Sequence, residues 1–157
     1  MVSERAEVAS SRDLERARRY EHATLARLFD RNYDTLYGLI VALLGDSVAA
    51  EETASQVFQR LLDSLQTISG EGAGIEGWLY TTALTLAAQR RRQSRPQGLA
   101  AALWELPAQE REVLALRLLA RFDVSRIASA TGVDADAVLS AQSRGLRRLS
   151  AGRDSRR

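Results

Sequence analysis

Apolar residues recur at helical spacing along most of the chain. From Ala23 onward, Leu25, Leu28, Phe29, Tyr33, Leu36, Tyr37, Ile40, Leu43 and Leu44 fall on one face of a helix, because residues three and four apart stack on the same side. Gly45 predicts the end of that helix. Ser47 is placed to cap the next one, with Glu51 and Glu52 in the early turns where the helix dipole favours acids. Val57, Phe58, Leu61, Leu62, Leu65 and Ile68 give this second helix its apolar face. Ser69–Gly77 holds four glycines and reads as a flexible loop. A third helix is expected from about Ile75 to Arg92, with Trp78, Leu79, Ala83, Leu86 and Ala87 for packing. Phe58, Trp78, Tyr80 and Trp104 read as core aromatics first. No segment alternates with period two, so the pattern predicts an all-α fold.

Ser94-Arg95-Pro96-Gln97-Gly98 reads as a domain boundary. Beyond it come a short helix over Ala100–Leu106, one starting behind Pro107, one over Val124–Thr131, a turn at Gly132-Val133-Asp134, and a last helix to about Leu149. Two short helices around a tight glycine turn make a helix-turn-helix, whose second helix enters the major groove of DNA. The expected organisation is a flexible N-terminal extension over 1–22, a helical module over 23–93, a linker over 94–99, a helix-turn-helix module over 100–150 and a basic tail over 151–157.

Composition narrows the function. The 157 residues suffice for one ordinary domain or two small helical ones. With no Cys and a single His, His22, there is no thiolate metal site, no Cys nucleophile and little basis for a His-driven triad. No apolar run is long enough for a membrane span, and the first residues lack the apolar core of a secretory signal. A cytoplasmic protein that is not an enzyme is expected, with no metal, cofactor or small-molecule substrate. All 22 basic residues are Arg, which high-GC codon usage explains. The net charge of +2 conceals an uneven distribution. Residues 23–89 set three arginines against eight acids, residues 90–95 hold four arginines and no acid, and residues 132–157 set six arginines against three acids. An acidic module followed by basic patches points to one protein-facing and one nucleic-acid-facing surface.

The chain resembles bacterial RNA polymerase sigma factors of the extracytoplasmic-function group, over roughly Ala23 to Leu149. Leu106-Pro107, Arg111-Glu112-Val113-Leu114 and Leu116-Arg117 are similar to that family's "LP…REV.LLR" opening of region 4. Ile127-Ala128 and Gly132-Val133 match its "EIA…LGI", and Val138, Ser140, Arg144 and Leu149 fit the following "GTVKSRL.RAR..L". In the first module, Leu44-Gly45-Asp46, Ala50-Glu51-Glu52 and Val57-Phe58 are similar to the region 2 pattern "GD..AEDL.QEVF". Gly77-Trp78-Leu79-Tyr80 with Ala83 is similar to "AWLYRIARN", and Arg90–Arg92 fits the basic run that follows. No single motif is specific; their order, spacing and two-module layout carry the resemblance.

The resemblance implies a first module that binds core RNA polymerase and melts a −10 element, and a second that reads a −35 element. An anti-sigma factor is a further implied partner. Transferred residue by residue, the polymerase-facing candidates are Glu51, Glu52, Ser55, Gln56 and Gln59. The DNA-binding candidates are Arg90, Arg91, Arg92, Arg95, Ser140, Gln142, Ser143, Arg144, Arg147 and Arg148. Plainer roles stand beside these: Glu51 and Glu52 can simply favour a helix dipole, and Arg90–Arg92 can be a solvated helix end.

The departures fall at reading positions. The family's "D..Q" pair is Glu52 and Ser55 here, and "RIARN" becomes Thr82-Ala83-Leu84-Thr85 after the Tyr. In the recognition helix the family's Gly, Thr, Lys and Arg are Asp136, Ala137, Leu139 and Ala141. A second hypothesis is therefore a degenerate sigma-like adaptor that binds protein partners without reading promoters. A third, a stand-alone helix-turn-helix repressor, leaves the first-module motifs unexplained.

Overall fold

The computed structural model describes residues 12–68 and 74–154. Described residues 12–18 form α1, followed by α2 (His22–Leu44), α3 (Ser47–Ser64) and α4 (Gly74–Arg90). A 3-10 turn over Arg91–Gln93 leads into α5 (Gly98–Trp104), α6 (Ala108–Leu118), α7 (Val124–Thr131) and α8 (Ala135–Asp154). The architecture is all-α, with a module of α2, α3 and α4 and a helix-turn-helix module of α5 to α8.

Local chemistry sets most boundaries. Gly45 ends α2 in the left-handed conformation at φ 69°, and its N–H donates to the Val41 carbonyl. Only glycine takes such a backbone at no steric cost. Gly132 ends α7 in the same way. Asp123 caps α7 by accepting from Arg126 N–H at 2.7 Å. Asp134 caps α8 by accepting from Ala137 N–H at 2.8 Å, which settles one of the two acids at that helix start.

Four expectations are corrected. The α3 cap is Asp46, which accepts from Ala49 N–H at 3.0 Å, while Ser47 is the first helical residue. Gly74 and Gly77 lie buried inside α4 instead of in a loop, the helix beginning one residue before the expected Ile75; the rest of the expected loop, 69–73, lies outside the described residues. Helix α4 ends at Arg90, and Arg91 and Arg92 belong to the 3-10 turn. The N-terminal extension is not free over its described part. Leu14 and Ala17 are buried, and the Arg18 guanidinium donates to the carbonyls of Leu65 (3.0 Å) and Ile68 (2.6 Å) at the end of α3. Leu14 and Ala17, three residues apart, and Arg18 dock this helix; residues 1–11 lie outside the described residues. At the other end α8 continues through Asp154, past the expected module boundary, and residues 155–157 lie outside the description.

One cluster of buried apolar side chains runs through both modules, from Leu14 through Leu36, Leu79 and Tyr80 to Phe122, Ile127, Val138 and Ala141. The modules are therefore packed together. Tyr80 of α4 meets Phe122, ahead of α7, edge-on at 4.7 Å between centroids, and both are fully buried. The Arg126 guanidinium lies 3.7 Å from the Phe122 ring centroid and pairs with Glu76 of α4. The Trp104 indole N–H of α5 donates to the Leu43 carbonyl of α2 at 2.9 Å. This seam buries two large aromatics and satisfies a buried donor, which the short linker alone does not require.

Candidate functional site

The first module exposes an aromatic strip. Phe29 and Tyr33 stack at 4.7 Å, Phe29 meets Phe58 at 4.8 Å, and Tyr33 stacks with Tyr37 at 6.0 Å. Phe29 is 42% exposed, and Phe58, Tyr33 and Tyr37 are only half-buried. The apolar periodicity placed these residues correctly on one face but not fully inside, because α1 and α4 cover other parts of α2 and α3. Along α3, Glu51, Glu52, Ser55 and Gln59 are exposed and Gln56 is half-buried. Thr53, between them, turns inward and donates to the Ala49 carbonyl.

The basic run at the end of α4 is partly spent inside the protein. Arg90 pairs with Glu52 at 2.6 Å, so one polymerase-facing candidate and one DNA-binding candidate hold each other. Arg91 lies over the Trp104 ring at 5.4 Å, and Arg111 over the same ring at 4.9 Å. Burial lowers the Arg111 pKa against the opposing pull of Glu112, and Arg91 adds to the lowering. Burial raises the Glu112 carboxyl, with Arg111 opposing. Arg92 lines an open cleft of about 560 Å³ between the modules, together with Gln89, Trp104, Arg111 and Glu112. Arg95 is exposed.

On α8, Asp136, Leu139, Ser140, Ser143 and Arg147 are exposed. Spaced by three and four residues, they form one outward stripe. Two DNA-binding candidates are placed differently from expectation. Gln142 is half-buried, and its side-chain carbonyl oxygen is shielded without a hydrogen-bond donor, so it is not an outward base-reading group. The Arg144 and Arg148 side chains reach back to Glu110 of α6, with Nε atoms 3.3 Å and 3.0 Å from its two carboxylate oxygens. The Arg144 contact is a long hydrogen bond, and the Arg148 contact is an ion pair without hydrogen-bond alignment. Helix periodicity shows which face a residue occupies but not whether a distant acid claims its head group, so Glu110 was missed. Its one sequence signal was an acid on the inner face of α6, between Leu106 and Val113.

Residues 28–96 match the Sigma-70 region 2 family. The chain is 34% identical over 82 residues to the ECF RNA polymerase sigma factor BldN of Streptomyces coelicolor, covering 52% of this chain and 31% of that protein. The matching segment thus spans about a third of the relative's length. Among solved structures, CnrH in complex with the cytosolic domain of CnrY aligns at TM-score 0.75 with 19% identity, over 94% of this chain and 98% of that one. The RsbN–BldN complex aligns at TM-score 0.46 with 30% identity, over 88% of this chain and 97% of that one. Residues 28–96 are thus similar to Sigma-70 region 2, and about half of the chain is similar to a sigma factor of the extracytoplasmic-function group. Its two-module helical fold is that of CnrH.

Proposed function

We propose that this protein is a sigma factor that binds core RNA polymerase in the cytoplasm and directs it to promoter DNA. It is not an enzyme. The observation that carries this reading is a Sigma-70 region 2 module joined to a helix-turn-helix whose second helix, α8, presents an open polar and basic stripe. Glu51, Ser55 and Gln59, beside the half-exposed aromatic strip, offer a face for the polymerase. Arg92, Arg95, Ser140, Ser143 and Arg147 are the outward groups available to DNA. Phosphate contacts of this kind supply most non-specific affinity, while sequence reading needs base-edge donors and acceptors, of which Ser140 and Ser143 are the nearest. Residues 23–93 and 100–150 act as the two functional units. An anti-sigma factor is the third proposed partner; CnrH, alike in fold, was solved with the cytosolic domain of CnrY.

The adaptor reading is favoured by one observation: Asp136 and Leu139 occupy the outward stripe of α8 while Gln142 is tucked in. Run-off transcription with purified core polymerase on genomic fragments decides between them. Promoter-dependent transcripts are expected; stable core binding without transcripts would establish the adaptor.

A further inference from the structure

Glu110 is the one buried acid among the described residues, with its side chain 5% exposed. Taking a carboxylate out of water costs several kcal/mol unless cations and hydrogen bonds replace the water. Here the replacements all come from the recognition helix: Arg144 on one oxygen and Arg148 on the other. The close approach of α6 and α8 that makes this possible occurs at Gly145. A Cβ there would lie 2.7 Å from Leu114 Cδ1 and 3.4 Å from Glu110 Cβ, so any side chain would force Leu114 to shift. The residue between the first arginine and the rest of the helix thus pins α8 against α6 at the height of the carboxylate.

A guanidinium grips a phosphate most firmly with two parallel N–H donors. One such edge uses Nε and its neighbouring Nη. Glu110 accepts a hydrogen bond from the Arg144 Nε, lies 3.0 Å from the Arg148 Nε as an ion pair, and reduces a +2 cluster to +1. The Arg144 and Arg148 side chains are nonetheless 44% and 59% exposed, so both stand within reach of an external anion once the carboxylate charge is removed. Arg147, between them in sequence and exposed on the outward stripe, has no such restraint.

We propose that Glu110 is a positioning residue that acts as an internal competitor for phosphate, holding Arg144 and Arg148 back and setting the DNA affinity of the recognition helix. This rests on the DNA-binding reading of α8. The carboxylate occupies the two arginines and keeps them from a DNA backbone. Affinity is then tuned by an acid that never touches DNA.

The test is a binding titration of the full chain on a random-sequence duplex across a range of salt. Each regained phosphate contact steepens the slope of log K against log salt by about 0.9, which is roughly eightfold in affinity at 0.1 M salt relative to 1 M. Glu110→Gln keeps the shape and removes the charge. It is expected to bind about tenfold tighter near 0.1 M salt, with a slope steeper by about 0.9 to 1.8. Adding Arg144→Gln and Arg148→Gln to it should cancel the gain. A gain that survives those changes, or an unchanged slope in a variant with wild-type helicity, overturns the proposal. A second arm leaves the buried acid intact. Arg147→Gln should flatten the slope by about 0.9, and Arg148→Gln by clearly less; equal losses overturn the proposal even if Glu110→Gln fails to fold. Wild-type binding that Glu110→Gln does not alter sinks this inference alone. If neither protein binds duplex, the DNA-binding reading fails with it.

Discussion

The aromatic strip of the first module and the outward stripe of α8 are both exposed sides of amphipathic helices, yet they are built from opposite chemistry. Between α2 and α3 the outward residues are rings, Phe29, Tyr33, Tyr37 and Phe58, in mutual contact and only half covered. On α8 they are Asp136, Ser140, Ser143 and Arg147, with Leu139 the one apolar member of the stripe. Large rings at a surface offer area at low entropic cost and suit a protein partner. Hydroxyls and guanidiniums suit a phosphate backbone. Between these two surfaces lies the seam of Tyr80, Phe122 and Arg126, where the chain is its own partner. The contrast teaches that burial follows the neighbour a ring finds: Phe122 lies in a turn yet is fully buried, while Phe58 lies mid-helix and is not.

The largest expected effect breaks the seam. Phe122→Ala should cost about 3–5 kcal/mol, the usual range for deleting a fully buried aromatic. It removes the ring that both Tyr80 and Arg126 contact. Chemical denaturation of the variant against wild type measures this, and a loss under about 1 kcal/mol would mean that Phe122 is solvated in solution. Phe58→Ala, by contrast, should cost only about 1–2 kcal/mol, since part of the ring is already in water. The same titration applied to both variants sharpens the comparison, and equal losses would contradict it.

A more gradual loss is expected at high pH. Burial pushes the Tyr80 phenol up to about 12, and the Glu76 carboxylate adds to the shift, with Arg126 opposing. The folded state therefore keeps a proton that the unfolded chain releases near pH 10. The seam's contribution is whole below pH 10 and falls away between about pH 10 and 12. Tyr80→Phe should flatten that part of the stability profile, and an unchanged profile would refute the assignment. The smallest effect belongs to Glu76→Gln. Both partners of the Glu76–Arg126 pair are about two-fifths exposed, so water and salt screen it, and the loss should stay under about 1 kcal/mol. A larger loss in thermal melts would show that this pair, and not the Tyr80–Phe122 contact, holds the modules together.

Much of this was legible from one dimension. The faces of α2 and α3, the glycine ends at Gly45 and Gly132, and the bounds of α7 all arise from interactions within four residues, which spacing records directly. The outward placement of Ser140, Ser143 and Arg147 follows from the same periodicity. Errors at this level were single-residue slips, such as Asp46 capping in place of Ser47, where two competent side chains stood side by side.

Other features were decided only when helices far apart in sequence met. Trp104 reaches Leu43 across 61 residues, Arg144 reaches Glu110 across 34, and Arg18 reaches Ile68 across 50. Periodicity says which side of a helix an arginine occupies but carries nothing about which carboxylate or carbonyl will face it after packing. A buried donor or acid is nonetheless matched in most cases, and the match is chosen here by the three-dimensional approach of α6 to α8 at Gly145 and of α5 to α2 at Trp104. The pattern of the chain thus determined an all-α, two-module protein with a helix-turn-helix. The tertiary structure alone decided that its arginines are divided between solvent and Glu110, because pairing energies depend on distance through space and not along the chain.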